Sequence, residues 1–95
     1  MATFCVYVLL CRDGSFYIGS TSKLQQRIAQ HHAGSFRSCY TFDRRPLKVV
    51  HVSEYGTADE AFTAERKLKR WSHAKKAAFV QQDFDALRRI SNGRR

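Results

Sequence analysis

Two apolar runs, residues 4–11 and 16–19, are separated by Arg12-Asp13-Gly14-Ser15, and this turn constrains the fold more than any other feature. Asp-Gly between runs rich in β-branched and aromatic residues is a strong signal for a β-hairpin. Side chains alternate along a strand, so Cys5, Tyr7 and Leu9 share one face. A two-residue turn at Asp13-Gly14 would put Tyr7 and Tyr17 on opposite faces. A three-residue loop, Arg12-Asp13-Gly14, with Gly14 as the left-handed residue of a bulge, sets Tyr7 opposite Gly19 and Tyr17 opposite Leu9. Both phenols then share a face. The missing side chain at Gly19 leaves room there for a substrate backbone to approach.

The remaining pattern extends this hairpin into a small α/β (α+β) domain. Ser22 with Gln25 forms a capping box for a helix over residues 23–33, which Gly34 ends. Residues 35–46 lack a period and read as a basic loop carrying Arg37, Tyr40, Arg44 and Arg45. The Val-rich segment 47–55 is a third strand. Thr57 with Glu60 caps a helix reaching Trp71, and Ser72 caps another over residues 72–82. The order ββαβαα predicts a three-stranded, mostly antiparallel sheet flanked by helices. Residues 1–82 read as one domain, and 83–95 as a basic helical extension with a frayed end.

Ninety-five residues suffice for one core and exclude a large internal pocket. The net charge of +9 is unevenly spread. Residues 1–65 hold 7 basic and 6 acidic side chains, whereas 66–95 hold 10 and 2. A concentrated cationic surface suits a polyphosphate partner, because each neutralised phosphate releases counterions. The same charge also reads as a solvated face that aids solubility. Cys5, Cys11 and Cys39 match neither zinc-ligand spacing nor a disulfide framework, and reduced thiols in the cytoplasm are expected. The N-terminal apolar run has no basic leader and is too short to span a bilayer.

Three polar residues sit where helical stripes should be apolar. Leu24, Arg27, Ile28 and His31 follow an i, i+3, i+4, i+7 pattern, so Arg27 and His31 point towards the sheet or lie at the stripe's edge and reach water. Ala58, Ala61, Phe62, Glu65 and Leu68 form the next stripe, with Glu65 at its middle. A buried Glu is paired or bound to metal, so an ion pair with a residue such as Arg27 and a hard-cation site both remain open. Arg66, Lys67, Lys69, Arg70, Lys75 and Lys76 surround Trp71. The cations suit phosphates, and the indole suits either a base or the core.

Tyr17-Ile18-Gly19, preceded by Cys5-Val6-Tyr7 at a similar distance, resembles the signature of the GIY-YIG nuclease superfamily. Arg27 lies eight positions after Gly19, His31 one turn later, and Glu65 in Ala64-Glu65-Arg66-Lys67-Leu68-Lys69, each where the family keeps a functional residue. The resemblance spans roughly residues 4–80, and the stretch Leu68 to Lys76, LKRWSHAKK, resembles small stand-alone bacterial members. Cys5 replaces the glycine of the first motif, and the loop at 35–43 lacks the Gly-Lys-Gly-Ala type sequence of many small relatives. Asn92, the only asparagine, is not carried over to the late-asparagine role of larger relatives.

The resemblance implies a metal-dependent DNA endonuclease giving a 5′-phosphate and a 3′-hydroxyl. Glu65 would hold one divalent cation, Mg²⁺ or Mn²⁺. Tyr7 would help deprotonate water with His31 assisting, Arg27 would offset charge on the phosphate, and Tyr17 would position water or phosphate. A phenol titrating near 10 is a poor base, and Arg27 and the metal are expected to lower it. Gly19, Arg37, Tyr40, Arg44, Arg45, Lys69, Arg70, Lys75 and Lys76 are the expected nucleic-acid contacts. Single-stranded or structured DNA is favoured, because so small a surface suits phosphate contacts and stacking better than long duplex sites. A catalytically inactive binding module and an RNA-directed nuclease are the alternatives. No membrane, no small-molecule cofactor and no particular oligomeric state are implied.

Overall fold

The hairpin register decides everything built on it. In the computed structural model, which describes residues 3–81, β1 (Phe4–Leu10) pairs antiparallel with β2 (Phe16–Thr21), Tyr7 facing Gly19 and Leu9 facing Tyr17. The Cys11 amide donates to the Ser15 carbonyl at 2.8 Å, and Gly14 adopts φ 87°. The loop therefore has three residues and a left-handed glycine, as expected.

β3 (Lys48–Tyr55) joins the other side of β1, so the sheet order is β2-β1-β3 and every pairing is antiparallel. A strand central to a sheet covered on both faces should be apolar throughout. FCVYVLL meets that demand, with Val6, Tyr7 and Leu9 wholly buried. Alternation divides the core in two. Val6, Val8 and Ile18 pack with Ala61 and Leu68 of α2 (Ala58–Arg70), while Tyr7, Leu9 and Cys11 pack with Leu47 and, from α1 (Leu24–Ala33), Leu24 and Ile28. Each well-buried aliphatic side chain contributes about 1.5–3 kcal/mol.

The caps hold in part. Thr57 and Ser72 accept from the amides of Glu60 and Lys75 at the starts of α2 and α3 (His73–Val80), and Gly34 closes α1 with φ 73°. The Ser22 capping box is not formed. β2 continues to Thr21, whose hydroxyl accepts from the Lys23 amide, and α1 starts from Lys23 without a side-chain cap. The basic loop contains a short 3₁₀ turn at Phe42–Arg44. Trp71 takes its core option, packing against the α2 side with its ring 5.4 Å from Phe79. The stripe on α2 is narrower than expected. Ala61, Glu65 and Leu68 are buried, but Ala58 is exposed and Phe62 is 54% exposed, because the helix is rotated off the latter's side. The basic extension at 83–95, Asn92 and the end of the last expected helix at Gln82 lie outside the described residues.

Candidate active site

β2 is an edge strand, and the chemically capable side chains gather around that edge from both sheet faces. Tyr7, Tyr17 and Gly19 lie on the α1 face, while alternation sends Ser20 to the α2 face. Tyr7, Tyr17 and His31 form a three-ring cluster, with centroid separations of 5.7 Å for Tyr7–His31, 5.1 Å for Tyr17–His31 and 6.4 Å for the tyrosines.

The stripe on α1 supplies His31 in full and Arg27 in part. His31 is 2% exposed, with Nε2 3.0 Å from the Tyr7 hydroxyl and Nδ1 3.0 Å from the Thr41 hydroxyl. Burial, then the charge of Arg27, hold the imidazole below its ordinary pKa, so it is neutral near pH 7. Arg27 is half-buried, with its guanidinium 5.6 Å from the Phe36 ring. Its charge bears on the Tyr7 phenol, but burial outweighs it and the phenol titrates above its ordinary value. Within the protein alone, the expected lowering does not occur. Tyr17 is also raised, by burial first and then by nearby Cys39 and Tyr7. A Tyr7 phenol that keeps its proton can accept another only by passing its own on, and His31 Nε2 is the group in reach.

Gly19 has a purpose different from the one its sequence suggests. A Cβ there would lie 2.5 Å from Tyr7 Oη and 2.7 Å from Cζ. The Tyr7 ring itself fills the space expected to admit a substrate backbone.

Glu65 approaches from the other side of the edge. It is 9% exposed, accepts from the Ser20 hydroxyl at 2.5 Å through Oε1, and pairs with Lys69 at 2.7 Å through Oε2. Lys69, one turn along α2, replaces Arg27 as the expected ion-pair partner, since Arg27 lies on the opposite sheet face. The carboxylate's charge is still felt by both phenols. Among the described residues no three His, Cys, Asp or Glu side chains cluster as a metal cage. One carboxylate with a neighbouring hydroxyl nevertheless fits Mg²⁺ or Mn²⁺. Hard cations of this kind take oxygen donors and often keep several waters beside one protein carboxylate.

The cationic residues separate into groups. Lys69 and Lys76 line a cleft of about 250 Å³ with Phe16, Tyr17, Ile18 and exposed Tyr40, along the β2 edge between the two faces. Arg37 is exposed on the loop. Arg44 is committed within the protein, stacked 3.7 Å from the Tyr40 ring centroid and paired with Asp13 at 3.0 Å. Arg45 donates to the Phe42 carbonyl and crosses Gly34. Arg70 lies with Thr63, Arg66 and Lys67 on the outward side of α2, away from the ring cluster. Lys75 sits 4.4 Å over the Trp71 ring.

Two polar residues at the site were not singled out from sequence. Ser20 was accessible to the same alternation that placed the tyrosines, because it follows Gly19. Thr41 carried no signal, since it reaches His31 from an aperiodic loop.

Comparison with known proteins gives this arrangement a lineage. Residues 3–78 match the GIY-YIG catalytic domain. The chain is 39% identical over 80 residues to a UPF0213 protein of Streptococcus pneumoniae, covering 84% of this chain and 80% of that protein. It is 43% identical over 76 residues to a UPF0213 protein of Listeria monocytogenes, covering 80% and 83%. Two solution NMR structures share the fold. A UPF0213 protein from Bacillus halodurans has TM-score 0.56 at 30% identity, with 94% and 97% of the two chains covered. A protein from E. faecalis has TM-score 0.61 at 31% identity, with 88% of each covered. The chain therefore belongs to the GIY-YIG family, whose catalytic domain implies nuclease activity and general dependence on a divalent metal.

Proposed function

We propose that this protein is a cytoplasmic DNA endonuclease that hydrolyses phosphodiester bonds in single-stranded or structured DNA, with one Mg²⁺ or Mn²⁺ held at Glu65. In this reading residues 1–82 form the nuclease domain and 83–95 a basic extension. One observation carries the proposal. Two phenols and a neutral imidazole stand together at the β2 edge, with a guanidinium on one side and a carboxylate on the other. A purely phosphate-binding surface has no use for Glu65 among its cations.

The chain's own groups account for the proton and charge movements. Water attacks phosphorus and gives a proton to Tyr7 Oη, once substrate binding has uncovered the buried hydroxyl, as the phenol passes its own to His31 Nε2, 3.0 Å away. The P–O3′ bond breaks, leaving a 5′-phosphate and a 3′-oxygen that takes up a proton from solvent. Arg27 offsets the charge growing on the phosphate oxygens, and Tyr17 orients water or phosphate. Glu65 and Ser20 would hold the cation, which would stabilise charge on the leaving oxygen. Lys69, Lys76 and Tyr40 line the cleft that receives the strand, with phosphates on the ammonium groups and a base on the exposed ring. Arg37 adds an exposed phosphate contact from the loop. Gly19, Arg44, Arg45, Arg70 and Lys75 remain in the proposed footprint as secondary positions. The first three support its shape by packing and the last two extend its charge.

The test is cleavage of matched single-stranded, branched and duplex DNA, and of RNA, with Mg²⁺ or Mn²⁺, by wild type, Glu65→Ala and Arg27→Ala. Metal-dependent DNA cutting lost in both variants, with DNA binding kept, is the expected result. Binding without cutting of any substrate would leave a binding module. Preferential cutting of RNA would redirect the substrate, and equal rates on perfect duplex would remove the preference for irregular DNA.

A further inference from the structure

A neutral imidazole carries its proton on one nitrogen, and the hydrogen bond made by that nitrogen decides which. His31 has a partner on each side. Tyr7 Oη lies 3.0 Å from Nε2, and Thr41 Oγ1 lies 3.0 Å from Nδ1. In the free protein both partners are sealed from solvent, Tyr7 at 0% exposure and Thr41 at 1%, so water does not substitute for either there. Thr41 does not stop the chain of bonds, because its hydroxyl donates to Cys39 Sγ at 3.5 Å. A hydroxyl whose proton is directed to sulfur presents a lone pair to Nδ1.

We infer that Thr41 is a positioning residue, which accepts from the Nδ1–H of His31 and thereby holds Nε2 unprotonated towards the Tyr7 hydroxyl. The inference rests on the nuclease reading and deepens it. Proton transfer from Tyr7 needs a free lone pair on Nε2. With the other tautomer an Nε2–H would point at the phenol oxygen, and Tyr7 could accept that hydrogen bond but could not discharge its proton. Thr41 achieves this from the 35–46 loop rather than from the sheet or helix that carries Tyr7 and His31. It sits at the start of the 3₁₀ turn, where the Arg44 amide donates to its carbonyl at 3.1 Å. The loop thus does more than face solvent. Its one buried hydroxyl sets the tautomer of a helix residue.

The experiment is ¹⁵N NMR of histidine-labelled protein near pH 8 without DNA, for wild type, Thr41→Val and Thr41→Ser, followed by single-turnover cleavage. Wild type and Thr41→Ser are expected to carry the proton of His31 on Nδ1. Thr41→Val, which keeps the shape and removes the acceptor, is expected to shift it to Nε2. On DNA, Thr41→Val should lower kcat at least about tenfold with KM unchanged, and Thr41→Ser should recover most of the rate. An Nε2–H tautomer in the wild type overturns the inference, as does an unchanged tautomer in Thr41→Val. Should Thr41→Val not fold, the wild-type and Thr41→Ser spectra still decide, since Nε2–H in either contradicts it. If wild type cuts no DNA, the nuclease reading fails separately, while the spectra still answer for Thr41.

Discussion

The Tyr7 hydroxyl meets His31 Nε2 at 3.0 Å in a place where neither side chain has water as an alternative partner. Tyr7→Phe removes one oxygen and leaves Nε2 buried and unpaired. Stability is expected to fall by about 1–3 kcal/mol, the usual cost of stranding a buried polar group. The cleavage rate should fall roughly a hundredfold or more, with DNA affinity retained. Urea denaturation and single-turnover cleavage read the two effects. An unchanged rate would remove Tyr7 from the reaction.

Gly19 and Tyr7 occupy one space. Gly19→Ala places a methyl group against the Tyr7 phenol, which is wholly buried and cannot swing away freely. Overpacking of this kind costs about 1–3 kcal/mol. Thermal denaturation should show the loss, and cleavage should weaken because the ring must shift from His31. A neutral outcome in both would mean that β2 yields at its edge.

Lys69 occupies one oxygen of Glu65, the carboxylate proposed to hold a cation. Lys69→Met is therefore expected to tighten Mn²⁺ binding while weakening DNA binding. The lysine side chain is 52% exposed, so the pair is worth no more than about 1 kcal/mol and the metal gain stays within about fivefold. Titration calorimetry with Mn²⁺ on wild type, Lys69→Met and Glu65→Gln checks this. Loss of Mn²⁺ binding in Lys69→Met would place the lysine in the metal site instead.

Acid should loosen the fold through two histidines. Among the described residues His51 Nε2 is buried without a partner while its ring lies 4.5 Å from Phe79, and burial lowers its pKa. His31 is lowered by burial and by Arg27. For a histidine depressed in the folded state, the unfolded chain binds protons more readily. Its stabilising contribution is full above the unfolded pKa of about 6.5 and is lost as the pH falls below it, levelling off only below the folded value. The melting temperature is expected to fall between pH 7.5 and 5.5, and more gently in His51→Leu. Identical profiles for wild type and variant would exclude His51 as a contributor.

Much of the candidate site's geometry was legible in the sequence because local structure fixed it. Gly14 selected a three-residue turn, the turn set the register, and alternation then put Tyr7 and Tyr17 on one face. The 3.6-residue period likewise marked His31 and Glu65 as polar groups on buried stripes. Periodicity specifies which residues share a face within one element. It says nothing of how elements are rotated against each other. Only the packed fold decided that Phe62 is exposed, that Tyr7 fills the space over Gly19, and that Glu65 meets Ser20 rather than Arg27, whereas its pairing with Lys69 is an i,i+4 contact within α2. Thr41 is the clearest case. Its approach to His31 depends on the path of a loop with no period, and such a path is set by long-range packing rather than by local sequence.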